Sequence, residues 1–199
     1  MSIAIVNRII FLLTGILAGY EIVAGMDDFS DLGTAMFTVS FGLLLLASLL
    51  LLLMGFEIME NDYVAVVTSL VPVSLSLGLV VEKLDNSHNY AILISVAFII
   101  AVFLRFFSKG KIASLSLGVL HLLSGAVIFI LPILLYAMKK ADIEILFISL
   151  GGILIGIGGV FLGFLKIGKM TLRKEQIHNF FPMLMFLTTV LFILGLRTV

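Results

Sequence analysis

The chain contains no cysteine, and that absence removes disulfides, thiolate metal sites, iron–sulfur clusters and cysteine nucleophiles together. It leaves the redox compartment open, because a chain without cysteine suits any. Charge is scarce too. Asp, Glu, Lys and Arg make up 12% of the 199 residues, where a soluble domain carries roughly a quarter. Twelve basic residues balance twelve acidic ones, and no basic block is long enough to engage nucleic acid. The opening "MSIAIVNRII" lacks a basic leader region and a small-residue cleavage site, so it reads as the start of a first span and not as a removable signal.

What fills the sequence instead is hydrocarbon. Hydrophobic residues account for 62% and mean hydropathy is +1.31. A soluble core of this length could not hide so much apolar surface, so the surplus has to face lipid. The expected fold class is therefore an all-α integral membrane protein. A membrane-crossing helix needs about 20 mostly apolar residues, and seven stretches qualify: 3–24, 33–55, 63–81, 89–107, 112–137, 145–165 and 179–196. The connectors between them are too short for a second domain, which makes 1–199 a single bundle of seven transmembrane helices.

Lys and Arg near span ends set the orientation. With the N-terminus inside, Arg8, Arg105, Lys109, Lys111, Lys166, Lys169, Arg173 and Lys174 fall on the inner side, against Lys83, Lys139, Lys140 and Arg197 outside. The expectation is a prokaryotic cytoplasmic membrane, N-terminus inside and C-terminus outside. Tyr20, Tyr63, Tyr90 and Tyr136 all lie near span ends, where an amphipathic ring meets the headgroups.

Glycine is concentrated in one place. "GGILIGIGGVFLG" (151–163) holds six of the eighteen glycines and nothing polar. Gly152, Gly156, Gly159 and Gly163 recur at helical spacing on one face, and in lipid small residues let helix backbones approach closely. The seam reads as a groove for another helix; a smooth wall beside a permeating solute is the sharper alternative. Gly15 and Gly19 in the first span and Gly118, four residues after Ser114 in the fifth, are weaker versions. The second and fourth spans, almost pure hydrocarbon, are expected to be the most lipid-exposed.

Polar residues inside a membrane are costly and usually face the interior. Asn7, Thr14, Ala18, Glu21 and Gly25 share one stripe of the first span. Ser69, Pro72 and Ser76 share a face in the third. Ser114, Gly118, His121, Gly125 and Pro132 do so in the fifth, and His178, Pro182 and Thr189 in the seventh. All three prolines lie in odd-numbered spans, where each deprives a carbonyl four residues back of its donor: those of Thr68, Ile128 and His178. The freed carbonyls need other partners. Spans one, three, five and seven are thus expected to converge on a modestly polar interior.

Several chemistries are disfavoured. The last span has no lysine for a retinal Schiff base. His88, His121 and His178 lie at three depths, which suits neither paired haem ligands nor a zinc site. Ser124 and His178 differ in depth by about 15 Å or more by helix rise, too far for an activated serine. No phosphate-cradling glycine loop is present. The chain is expected not to be an enzyme and to need no cofactor, although a lipid or apolar cofactor could fill a groove between helices.

Residues 38–59 and 147–168 share a Ser-x-Gly start and a late Gly-Phe, which would relate spans one to three to spans five to seven as a 3+1+3 parallel repeat. The hairpin "SLSLGVLHLLSGAVIFILP…FISLGGILIGIGGVFLGFLKIGK" (114–169) resembles the hairpins of HdeD-type acid-resistance membrane proteins. The resemblance covers about a quarter of the chain. It implies a small inner-membrane protein without catalytic residues, and seven spans depart from that family's usual six. Two functions stay open: a non-catalytic accessory subunit docked to a membrane protein partner or to its own copies, and a small carrier or channel for a proton, ion or small solute. The scarcity of midplane polar groups favours the first.

Overall fold

The computed structural model describes residues 4–25, 28–108, 111–167, 174–197 and 199, with side chains except at 60, 111, 114, 158–167 and 174–178. The described residues form seven long α-helices: α1 (Ile5–Ala24), α2 (Asp31–Met54), α3 (Asp62–Lys83), α4 (Ser87–Phe107), α5 (Lys111–Ala137), α6 (Leu146–Ile167) and α7 (Lys174–Leu196). Short 3₁₀ turns at Phe56–Glu60 and Ile143–Ile145 lead into α3 and α6. The helix ends fall close to the limits read from hydropathy, except that α7 begins five residues earlier than residue 179. Six helices are long and apolar enough to cross a membrane. α6 has 22 residues, but its side chains are described only as far as Ile157, and on that shorter stretch it counts as a shorter apolar helix. The chain is a polytopic helical membrane protein.

Local chemistry explains the ends. Ser30 caps α2, its Oγ accepting from the Gly33 amide at 3.1 Å. Glu82, in the last turn of α3, accepts from both the amide (3.0 Å) and the hydroxyl (2.5 Å) of Ser30. Gly33 has no side chain to stand in its way. Asn61 caps α3 by accepting from the amides of Tyr63 and Val64. Gly55 ends α2 at φ 76°, a left-handed conformation that glycine adopts without strain.

Six helices close into a ring. α1 packs on α2, α2 on α3, α3 on α5, α5 on α6, α6 on α7, and α7 returns to α1. One apolar core fills the ring, built around Phe11, Phe37, Phe41, Leu75, Ile148 and Phe192. α4 stands outside, against α3 and α5, joined to them by the small cluster of Val73, Ile94, Ala101 and Leu120. An ion pair from Arg105 to Asp62 (2.5 Å) pins its C-terminal end to the start of α3. The contrast in burial is large: 61% of the apolar window of α3 is buried, and 11% of that of α4. α3 is the central helix and α4 the peripheral one.

α2 differs from the expectation of lipid exposure. It buries as large a share as α1, because Phe37 and Phe41 face the core and Ser48 lies against Gly15 of α1. A run of pure hydrocarbon does not tell protein from lipid, since both environments are equally apolar. The odd-numbered helices also differ from expectation. They meet in two pairs, α1 with α7 and α3 with α5, within a ring of mostly consecutive neighbours.

The glycines show which faces carry close contact. A Cβ at Gly78 would lie 2.5 Å from the Phe37 ring, one at Gly151 2.7 Å from the Phe192 ring, and one at Gly152 3.1 Å from Ile128 of α5. Gly15 abuts Ser48, and Gly19 touches Leu45 only at 3.9 Å. Gly118, Gly125 and Gly156 have nothing within 4 Å, so the packing expected of Gly118 and Gly156 is not found among the described residues. Gly159 and Gly163 lie outside the described side chains. On the described part of α6, close contact falls at Gly151 and Gly152.

The serines that begin the two similar segments both reach across to a neighbour. Ser40 Oγ donates to the carbonyl of Val71 in α3 (3.1 Å) and Ser149 Oγ to that of Phe129 in α5 (2.7 Å). A parallel repeat would send Ser149 to α7, the counterpart of α3; it bonds the preceding helix instead.

Substitution should separate the two kinds of glycine. Gly78→Ala and Gly151→Ala each force a methyl into a filled ring contact and are expected to cost about 1–3 kcal/mol. Gly118→Ala and Gly125→Ala should leave thermal unfolding in detergent unchanged or slightly raised.

Candidate functional site

The stripe Asn7, Thr14, Ala18, Glu21 is buried along its whole length, with Asn7 at 8% exposure and the other three at 0%. Its periodicity of three, four and seven residues places it on one side of α1. α7 runs parallel to α1 and packs on it, meeting this stripe at Asn7 near one end and acting on Glu21 near the other. We call the end where α1 begins proximal and the opposite end distal.

At the proximal end Asn7 Nδ2 donates to Asn179 Oδ1 at 3.3 Å, joining the two helices. One turn along, Phe11, Phe56 and Phe181 meet edge to face, with centroids 5.9 and 5.8 Å apart. In the middle Thr14 donates to the carbonyl of Ile10 (2.8 Å) and Thr189 to that of Met185 (2.9 Å). At the distal end lies Glu21. By helix rise the stripe from Asn7 to Glu21 is about 21 Å long, most of the thickness of a hydrocarbon core.

Glu21 is the exception in this seam. Both of its carboxyl oxygens are buried without a hydrogen-bond partner. Arg197, just beyond α7, acts on it electrostatically but does not close to an ion pair. Thr188 of α7 is likewise fully buried with an unpartnered hydroxyl.

Elsewhere the buried hydroxyls are already spent. Ser69 donates to Val66 (2.7 Å), Ser76 to Val73 (2.9 Å) and Ser124 to Leu120 (2.9 Å), all within their own helices. Ser76 also accepts from the Tyr90 hydroxyl at 2.8 Å. Pro72 and Pro182 are buried, and the cross-helix hydroxyls reach Val71 and Phe129, near Pro72 and Pro132, instead of the expected carbonyls of Thr68 and Ile128. His121 is half-buried on the face of α5 that carries the uncovered Gly118 and Gly125. His178 and Ser114 lie outside the described side chains. Among the described residues no three His, Cys, Asp or Glu side chains are grouped to hold a metal.

The structure joins Asn7 to α7 through Asn179 and brings Arg197 to bear on Glu21, with Thr14 buried on the same stripe. It keeps His121 and Ser69 away from them, on helices that have no extended packing against α1. Sequence reasoning missed Thr188 because its neighbour Thr189 fits the helical stripe better. It missed Asn179 because one asparagine near a span end carries no periodic signal. Two shallow depressions mark the surface. One, about 400 Å³, lies at the α5–α6 turn around Tyr136, Lys139 and Asp142. The other, about 300 Å³ and apolar, lies between α3, α4 and α5 around Val80, Tyr90 and Ile130.

Compared with protein families, with curated proteins and with solved structures, the chain matches none.

An unpartnered buried polar group costs about 1–3 kcal/mol. Glu21→Leu and Thr188→Val are therefore expected to raise thermal stability in detergent, whereas Thr14→Val and Thr189→Val, which each remove a satisfied bond, should leave it nearly unchanged.

Proposed function

We propose that this chain is a non-catalytic polytopic protein of a prokaryotic cytoplasmic membrane, serving as a structural or accessory subunit of a larger membrane assembly. The observation that carries this reading is the filled ring. Its interior is packed with aromatic and aliphatic side chains, and among the described residues the buried hydroxyls other than Thr188 are committed to backbone carbonyls. Such an interior suits a rigid body better than a conduit. The peripheral α4 supports it from outside, since Ile99 and Phe103 stand 66% and 58% exposed on a helix held by one face. In the plan we assign, α6 joins the six other helices as a seventh span on the strength of its 22 residues, and the proximal end is cytoplasmic.

The same features support a non-catalytic role. Ser124, the best-placed hydroxyl in α5, donates to carbonyls of its own helix, those of Leu120 and His121. The apolar depression between α3, α4 and α5 is the place we assign to a lipid chain; a resident cofactor is no part of the proposal. A second reading, a small carrier for protons or ions, is favoured by one observation, the unpartnered carboxyl of Glu21.

Gentle-detergent purification of the tagged full chain from its own membrane tests the choice. The subunit reading expects partner proteins in fixed ratio, retained in Glu21→Gln and His121→Ala and released when Ile99 and Phe103 are both changed to Gln. A chain that comes alone and conducts protons or solutes in liposomes, with conduction lost in Glu21→Gln, would replace it with the carrier reading.

A further inference from the structure

Glu21 occupies an unusual position for a carboxyl. Its side chain folds over the last turn of its own helix, where a Cβ on Gly25 would collide with the carboxyl carbon and both oxygens. Glycine at position 25 therefore leaves the seat that the carboxyl fills. That seat is the C-terminal end of α1. There the last carbonyls lack intrahelical donors and carry partial negative charge, so an ionised carboxylate is repelled by its own helix. The residue is nonetheless fully covered, and no donor reaches either oxygen.

The charges around it narrow the ligand. Two helices pack on α1. From the α7 side Arg197, itself exposed, acts on Glu21. α2 contributes Asp31 in its first turn and the connector before it Asp28, both exposed. Nearby at the distal end Glu82 is engaged with Ser30, and Lys83 donates to the carbonyl of Val199. A metal ion would find no group of three or more His, Cys, Asp or Glu among the described residues, and would meet the repulsion of Arg197. Hard cations take six or more oxygens. A proton needs one lone pair and no extra room. The neutral acid carries no charge to bury, and the ionised form has Arg197 as counter-charge, so each state has its own support.

We propose that Glu21 is a proton-binding site that exchanges one proton with the aqueous phase at the distal end, with Arg197 as its counter-charge. The proton leaves the carboxyl oxygen for water and returns from water; no other bond changes. The site goes beyond the subunit reading and is independent of it, since a partner protein is retained or lost whichever way Glu21 behaves.

The test uses wild-type full-length protein in phosphatidylcholine liposomes treated with dicyclohexylcarbodiimide. This lipid-soluble reagent adds to protonated carboxyls to give a stable N-acylurea, which peptide mass spectrometry locates. Following the reagent's concentration through each incubation divides its own pH-dependent decay out of the Glu21 rate. The corrected Glu21 adduct should form at least roughly tenfold faster at about pH 5 than at about pH 9, as one titrating proton requires. Arg197→Gln should move the half-labelling pH upward, because the ionised form loses its counter-charge. Equal corrected rates at both pH values would overturn the proposal, making Glu21 a permanent structural acid. Suppression of the adduct by Na⁺ in place of choline at constant pH would overturn it in favour of an alkali cation. If no adduct forms, the acid-minus-alkaline infrared difference spectrum decides: a protonated-carboxyl band missing in Glu21→Gln supports the site, and its absence from wild type overturns it.

Discussion

In a bilayer the lipid tails are as apolar as leucine, so two helices gain little from hiding hydrocarbon against each other. Close backbone approach and hydrogen bonds between helices have to hold the bundle. That constraint explains where the strong contacts of this ring fall. Phe37 is seated on Gly78 between α2 and α3, and Phe192 on Gly151 between α6 and α7. Ser40 and Ser149 reach carbonyls of neighbouring helices. Both of those acceptors lie in proline-containing helices, where the regular ladder is interrupted. The ring is thus closed by a small number of specific contacts, with aliphatic packing filling the space between them.

The helices were legible because each needs only local information: a long apolar run, a polar connector and a capping residue such as Ser30 or Asn61. The buried stripe of α1 was legible for the same reason, since Asn7, Thr14 and Glu21 recur at a helical period. Periodicity places residues on a face but does not say which helix that face meets. Gly156 fits the seam as well as Gly152 does, yet only Gly152 stands against a neighbour among the described residues. The clamp from Glu82 to Ser30 joins residues 52 positions apart, and nothing local to either announces the other. α2 reads as lipid-facing because its composition is the same whether its neighbours are tails or phenylalanines.

Among the described residues, Thr188 and Glu21 stand out against buried hydroxyls that otherwise find acceptors. Natural bundles tolerate such groups where something other than stability maintains them. The two are not equivalent. An idle hydroxyl is a modest burden, and Thr188 has none of the surrounding features that would define a ligand. Glu21 combines enclosure, a glycine seat at position 25 and the electrostatic influence of Arg197. Its setting is defined by three separate elements of the chain: the end of α1, the glycine that follows it and the residue that follows α7.

The ring is closed by its first and last helices, and this bears on how the protein is made. α1, α2 and α3 can assemble as soon as they enter the membrane, because each packs on the next in sequence. On α1, Asn7 meets its partner Asn179, and Glu21 the charge of Arg197, only once α7 has been synthesised. Through that interval a carboxyl and an amide look out toward lipid or the insertion machinery, where unsatisfied polar groups are costly. Arrival of α7 closes that flank, and a chain truncated before Asn179 lacks the partner that Asn7 bonds in the full bundle.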